Sequence, residues 1–217
     1  MKPTSPPKPT SPPPSPTVPP KPTLPAGVLL AESFERAETG QLPRTSSRPN
    51  DYVFNYDGGE YVINKINSGL QVAPMVILNG PYDNTVIAID VRLMGDVTSR
   101  YAFVACRHQS SAAMSKHYRA SVVPDGRRLI LSRWDDGQER MLSTVRDEPA
   151  INTGNAKNRL ELRCAGAKIS ASVNGKMLAS ADDMTLNRGD QGVGTGAFSG
   201  TQGTIEARYD NLEIRAP

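Results

Sequence analysis

Helical periodicity is almost absent from this 217-residue chain, and so are the side-chain sets that common metal and redox sites require. It has two cysteines and two histidines. With no Cys-x-x-Cys pair, neither cysteine begins a zinc or dithiol motif, and having only His108 and His117 excludes a three-histidine metal centre. No run of 18 apolar residues occurs, so no segment reads as a membrane-crossing helix. A Gly-x-Ser-x-Gly elbow, a phosphate loop and a dinucleotide fingerprint are all missing. The stretch "GVGTGAFSG" has the glycines of such a loop but no helix after it, and it reads as strand and loop.

A basic excess is missing as well, once the chain is divided. Residues 1–25, "MKPTSPPKPTSPPPSPTVPPKPTLP", hold 12 of the 19 prolines, three lysines and no acid. Each proline removes a backbone donor and fixes φ, which excludes helix and central strand. The segment reads as a polyproline II linker or stalk rising about 3.1 Å per residue, roughly 75 Å at full reach. Its lysines account for the net charge of +3, because residues 26–217 carry 22 basic against 22 acidic residues. Nucleic-acid binding calls for a basic excess gathered on one face, and none is visible. The tail lysines are either simply solvated or placed to touch an acidic cell-wall polymer or a membrane surface. Met1 is followed by proline-rich sequence rather than the apolar core of a signal peptide. A stalk needs an attachment, so we expect a membrane or signalling segment upstream in a longer chain.

From Ala26 onward the pattern is uniform. Short runs rich in Val, Ile, Leu and Tyr, among them "YVFNY", "LQVA", "TVIAIDVRL", "RYAFVACR", "RLILSRW", "NRLELRC" and "KISASVN", are separated by turn clusters every 8 to 12 residues. Turns are expected at "DGG" 57–59, "NGPYDN" 79–84, "PDGR" 124–127, "DDGQ" 135–138 and "NG" 174–175, where Asn-Gly and Asp-Gly supply positive φ. In "TVIAIDVRL", Thr85, Ile87, Ile89, Val91 and Leu93 share one face, and Val86, Ala88, Asp90 and Arg92 share the other, as in a sheet with one half-wet side. Only "ADDMTLNR" allows a helical turn. A dozen or more antiparallel strands in residues 26–217 predict an all-β, two-sheet jelly-roll sandwich, large enough to bury a core without a disulfide.

Cys106 and Cys164 both sit near the ends of apolar strands, with Cys164 facing the same way as Leu160 and Leu162. Two readings are open at this point. Buried free thiols would act as small hydrophobes. A disulfide would close a loop of nearly sixty residues, stabilise the fold by about 4 kcal/mol in the chain-entropy picture, and imply residence outside the cytoplasm.

The ordered set "YAFVACR", "KHYRASVVPDGRRLILSRW", "INTGNAKNRLELRCAGAKISASVNGKMLASADD", "GDQGVGTGAF" and "ARYDNLEI" resembles the concanavalin A-like lectin and glucanase jelly rolls of bacterial extracytoplasmic proteins. It is most similar to the extracellular domain that follows the membrane helix and proline-rich linker of some bacterial serine/threonine protein kinases, and to 3-keto-disaccharide hydrolase-like domains. The resemblance spans most of residues 27–215 and implies a Cys106–Cys164 disulfide, an extracytoplasmic location, and a "VNG" hairpin at Val173 to Gly175. Two features depart from it. The opening reads "ESFER", and the tryptophan usually found after it is missing from "ETGQLPRTSSRPN", so the first strand and its loop are expected to be built differently.

Jelly-roll glucanases set their acids in a Glu-x-Asp-x-x-Glu pattern, whereas "IEARYDNLEI" spaces Glu206 and Asp210 four apart with Arg208 between them. A cation there keeps both acids ionised, the wrong setting for a general acid. We therefore expect no catalytic residues, no cofactor and a binding role. The ligand expected is a glycan or another cell-surface or extracellular molecule. An aromatic ring stacking on a sugar, with planar groups meeting its hydroxyls, points to Trp134, His117, Arg119, Arg107 and Asp90, with Arg133 and Tyr118 as further candidates. His117 and Arg119 share a strand face, and Tyr118 points the other way, into the core. Trp134 can alternatively close one end of the core. Calcium would need converging loop oxygens; "PYDN" 81–84 and "ADDM" 181–184 offer some, but they read better as solvated turns, and no metal ligand is assigned. The rival readings are a glycan hydrolase and a structural adhesion domain.

Overall fold

The computed structural model describes Met1 and residues 24–69, 73–111 and 114–217. The proline-rich linker assigned to residues 1–25, and the strand expected at "LQVA", lie almost wholly outside the described residues.

Among the described residues the alternating runs form fourteen strands, all paired antiparallel in two sheets. One sheet is built from β1 (Val28–Glu32), β2 (Tyr52–Asp57), β3 (Glu60–Lys65), β5 (Thr85–Met94), β10 (Asn158–Ala165), β11 (Lys168–Val173), β12 (Lys176–Asp182) and β14 (Ile205–Arg215). Its order is β12-β11-β10-β5-β14-β3-β2, with β1 on the far half of β14. The six-stranded sheet takes β4 (Met75–Tyr82), β6 (Arg100–Ser111), β7 (Met114–Val123), β8 (Arg128–Asp135), β9 (Gln138–Val145) and β13 (Gly189–Ala197), in the order β4-β13-β6-β7-β8-β9. Among the described residues there is no α-helix and only one short 3-10 turn, Ala37–Thr39. The expected all-β jelly-roll sandwich is what the chain forms.

Alternation decides which side chains meet between the sheets. Ile87, Ile89, Val91, Leu93, Leu160, Leu162 and Tyr209 from one sheet face Ala102, Val104, Tyr118, Ala120, Val122, Leu129 and Leu131 from the other, in one buried cluster. Full burial of each large apolar side chain stabilises by about 1.5–3 kcal/mol. Cys106 on β6 and Cys164 on β10 are joined by a disulfide with a Cα–Cα distance of 6.7 Å, so the covalent link crosses the core from sheet to sheet.

A second apolar cluster lies on the outer face of the six-stranded sheet: Tyr101, Phe103, Ala105, Val123 and Ile130, packed by Met75 and Phe198. The alternating glycines of "GVGTGAF" explain how it fits. A Cβ on Gly194 would lie 2.4 Å from both Phe103 Cζ and the Pro74 carbonyl, and one on Gly196 would lie 2.5 Å from the Tyr101 hydroxyl. The rings therefore lie on bare β13 backbone, the close approach that glycine permits in a strand.

Two local expectations are corrected. "ADDMTLNR" contains no helical turn: β12 ends at Asp182, and residues 183–188 are irregular. The Asp183 carboxylate accepts the Thr185 N–H at 2.8 Å, and the Leu186 carbonyl accepts from Arg107 at 2.8 Å, so the segment's backbone groups bond to a local side chain and across the fold instead of along a helix. "NGPYDN" is a turn only at Asp83 and Asn84, because β4 continues through Tyr82, which pairs with Gly189. The "NG" hairpin at 174–175 forms as expected, with Asn174 at φ 51° and its side-chain oxygen accepting the Arg159 N–H at 2.7 Å.

Candidate functional site

The outer face of the six-stranded sheet gathers three of the five residues expected to bind ligand. His117 on β7 pairs in register with Trp134 on β8, and their rings stack at 6.3 Å between centroids with 15° between planes. Arg119, two residues along β7, places its guanidinium carbon 5.1 Å from the Trp134 ring centroid and 5.3 Å from those of Tyr101 and Phe103. Its outer nitrogen donates to Glu139 Oε1 at 2.7 Å, and Ser132 Oγ donates to the same oxygen at 2.7 Å. The result is a guanidinium and a carboxylate held side by side on an aromatic bed. Cation–π contacts of this kind are worth more as the site is desolvated.

A bulge in β6 completes the face. Between Cys106 and Gln109 the β6–β7 register shifts, and Arg107 takes a left-handed φ of 54°. Bulges re-aim side chains; here Cys106 faces the core, and the His108 ring lies 5.8 Å from that of His117. Four polar side chains of this face are buried with atoms that have no hydrogen-bond partner among the described residues: His108 Nδ1, both His117 nitrogens, Arg119 Nε and Ser121 Oγ. Burial, with the charges of Arg119 and His108 adding to it, pushes His117 down to about 3, and burial also lowers His108, against the charge of Asp190. Both imidazoles are therefore neutral at pH 7.

Arg107 is in the fold's end wall instead. Its side chain is buried and donates to the Asp83 carbonyl at 2.9 Å, the Leu186 carbonyl at 2.8 Å and Asn84 Oδ1 at 3.5 Å. It lines a cavity of about 400 Å³ with Asp83, Asn84, Gly166, Met184, Leu186, Asn187 and Arg188. Tyr118 points into the core as expected; its hydroxyl donates to Asp183 Oδ1 at 2.7 Å and accepts the Leu186 N–H at 3.1 Å. Arg133 donates to Asp183 Oδ2 at 2.6 Å and so belongs to the same inner network. Burial alone would raise Asp183, but the hydrogen bonds of Thr185 and Tyr118 and the charge of Arg133 bring it to about 2.

Asp90 stands apart on the outer face of the other sheet, where Asn211 donates to it at 2.9 Å and Arg159 at 3.4 Å. It does not share a site with Trp134. The acids of "IEARYDNLEI" are on that same face, Glu206 against Arg208 at 2.6 Å and Asp210 against Lys157 at 2.9 Å. No group of three or more His, Cys, Asp or Glu suited to hold a metal occurs among the described residues. In "ADDM", Asp183 is taken up by Arg133, and in "PYDN", Asp83 lies 3.4 Å from Arg188.

The sequence reading missed Glu139, Ser132, Tyr101, Phe103 and His108 on the aromatic face, and Asn84, Asn187 and Arg188 at the cavity. Alternation along β6 and β8, together with the glycines of β13, carries a signal for Ser132, Tyr101 and Phe103, but not for His108, which follows the β6 bulge, or for Glu139 on β9. The second group comes from loops, which carry none.

No protein-family model matches the chain, and no curated protein matches its sequence. Solved structures do match in shape. The CBM66 carbohydrate-binding module from Bacillus subtilis superposes with a TM-score of 0.58 at 10% identity, covering 86% of this chain and 95% of that one. A Bacillus subtilis protein of unknown function with a galectin-like fold gives a TM-score of 0.64 at 9% identity, over 88% and 96%. A prokaryotic β-1,3-1,4-glucanase (lichenase) derived from a mouse hindgut metagenome gives 0.61 at 9% identity, over 87% and 99%. The chain has a concanavalin A-like jelly-roll fold. At these identities the likeness is one of fold, which does not by itself carry function.

Proposed function

We propose that the protein is an extracytoplasmic carbohydrate-binding module, attached through its proline-rich segment to an upstream membrane or signalling domain. The observation that carries the binding role is the outer face of the six-stranded sheet, where the Trp134–His117 stack adjoins the Arg119–Glu139 pair. An indole face takes the apolar side of a pyranose, and the partly exposed Glu139 carboxylate, fixed by the buried Arg119 guanidinium, offers an acceptor to its hydroxyls. That solved structures sharing the fold include a carbohydrate-binding module and a glycan-cleaving enzyme supports sugar as the ligand class. The Cys106–Cys164 link supports an oxidising compartment. Among the described residues no helix is long and apolar enough to cross a membrane.

Calorimetry against a panel of neutral polysaccharides tests the reading. Binding by the wild-type domain should fall at least about tenfold in Trp134→Ala, the loss of a stacking anchor, with the thermal midpoint little changed. Absence of binding across the panel, together with micromolar self-association, would favour an adhesion domain. Release of reducing sugar, lost in Glu206→Gln or Asp210→Asn, would favour a hydrolase.

A further inference from the structure

We propose that the end cavity beside the disulfide is a second carbohydrate subsite, built for the carboxylate of an acidic sugar of the uronate class. The proposal takes carbohydrate as the ligand class from the reading above and adds a charge to it.

Arg107 is 2% exposed, among the most deeply buried large side chains of the protein. A buried cation is ordinarily paired with an anion. Among the described residues Arg107 instead meets two carbonyls and an amide oxygen, and the one acid beside it, Asp83, turns its carboxylate to Arg188. A guanidinium has five N–H donors in a rigid fork; three are engaged, leaving two. Arg107 and Arg188 line the cavity with one acid, Asp83, so an entering carboxylate would meet a partly desolvated wall of net positive charge. Such charge-assisted bonds are the strong ones.

The other walls argue for a sugar rather than a bare anion. Leu186 and Met184 supply an apolar side, and Asn84, Asn187 and Arg188 supply planar polar groups. Asn84 Oδ1 accepts the Gly166 N–H at 2.8 Å and the weaker Arg107 contact, which orients its amide nitrogen as a donor with no acceptor among the described residues. Arg188, with its side chain 59% exposed and 3.4 Å from Asp83, adds a second cation to the wall. A volume of about 400 Å³ lies in the range of small-molecule pockets and is far more than a lone anion needs. The site is also held in place: Arg107 follows Cys106 directly, and its left-handed backbone fixes the direction of the side chain. A preorganised donor set is what a small polar ligand needs to bind.

The test is an amide-resolved NMR titration of the oxidised protein with sodium glucuronate, glucose and sodium acetate in parallel. Glucuronate should shift the amides of Asn84, Gly166, Leu186, Asn187 and Arg188 saturably, while glucose and acetate at equal concentration should not. Because Arg107 also ties loops together, the variants are the exposed Arg188→Gln and Asn187→Ala, and Arg188→Gln should weaken glucuronate roughly tenfold. No response to glucuronate, an equal response to acetate, or unchanged affinity in Arg188→Gln would overturn the proposal. Neutral oligosaccharides titrated in the same way report on the Trp134 indole and His117. Failure there, with the glucuronate response intact, would remove only the aromatic-face site, and the reverse would remove only the cavity.

Discussion

The two sheets present outer faces of opposite character. On the eight-stranded sheet, charges are answered by neighbours: Arg92 by Glu60 at 2.7 Å, Arg208 by Glu206 at 2.6 Å and Asp57 at 2.8 Å, Lys157 by Asp210 at 2.9 Å, and Arg215 by Glu161 at 2.8 Å. On the six-stranded sheet, Arg119 lies on three aromatic rings, and buried nitrogens of two histidines have no protein partner among the described residues. A ladder of cross-strand ion pairs is an ordinary way to finish a solvated sheet. Buried polar groups left without partners are not, since each costs roughly 1–3 kcal/mol. Among the described residues four such side chains gather on the six-stranded face against one, Asn64, on the eight-stranded sheet, and this concentration points to the six-stranded face as the one shaped by something other than stability.

The largest expected effect comes from cutting the link between the two sheets. Cys106→Ala with Cys164→Ala removes a cross-link spanning 58 residues of sequence. The chain-entropy account gives a loss of about 4 kcal/mol. Trp134 is the only tryptophan and reports on the six-stranded face alone, whereas far-ultraviolet circular dichroism reports on both sheets. Urea transitions followed by the two probes should move together. A Trp134 transition that stays in place while the other moves would mean that the faces are not mechanically joined through the core.

Acid should distinguish the faces next. The pKa of His117 is about 3 in the fold, depressed first by burial, against 6.5 for the free side chain. The unfolded chain therefore binds the extra proton, and stability falls as pH drops below about 6.5. Between pH 7.5 and 5 this group alone accounts for about 2 kcal/mol, and His108, also lowered, acts in the same direction. Depressed carboxylates work lower down: Asp183, at about 2, withdraws its contribution only as pH falls through roughly 4 to 2. Urea midpoints at pH 7.5 and 5.0 should differ clearly in the wild type and much less in His117→Phe. Equal midpoints in the wild type would mean that the imidazole is hydrated or paired after all.

Much of this was legible beforehand. The period-2 runs gave the sandwich; the position of Cys164 beside Leu160 and Leu162 marked it as inward-facing, and the Asn174-Gly175 dipeptide gave its hairpin. Alternation also placed His117 with Arg119 and turned Tyr118 inward. What it could not give was anything that breaks period 2. The bulge at Arg107 and His108 moves two side chains off the expected alternation, and no residue there announces it. The segment 183–188 reads as weakly helical because its bonding partners, Arg107, Tyr118 and Arg133, are 50 or more residues away in sequence. Asp90 was grouped with Trp134 by residue type alone, and only the strand order β10-β5-β14 shows that it belongs to the other sheet.

The finest test compares two arginines, each the centre of its face. Arg119→Met removes a charge whose side chain is 7% exposed and leaves Glu139 with only the Ser132 hydroxyl. Arg208→Met removes one that is 20% exposed, and its most buried partner, Glu60, keeps Arg92 at 2.7 Å. Losing the first should cost about 2 kcal/mol, from the buried pair and the cation–π bed together, although methionine fills the apolar space well. Losing the second should cost at most about 1 kcal/mol, the scale of exposed pairs. Arg119→Lys should recover little of the loss, because an ammonium cannot lie flat on rings and fork to a carboxylate. Calorimetry on the same variants separates stability from function. Arg119→Met and Arg119→Lys should both lose neutral glycan binding, and Arg208→Met should keep it. Equal stability losses, with binding intact in all three, would mean that the two faces differ only in appearance.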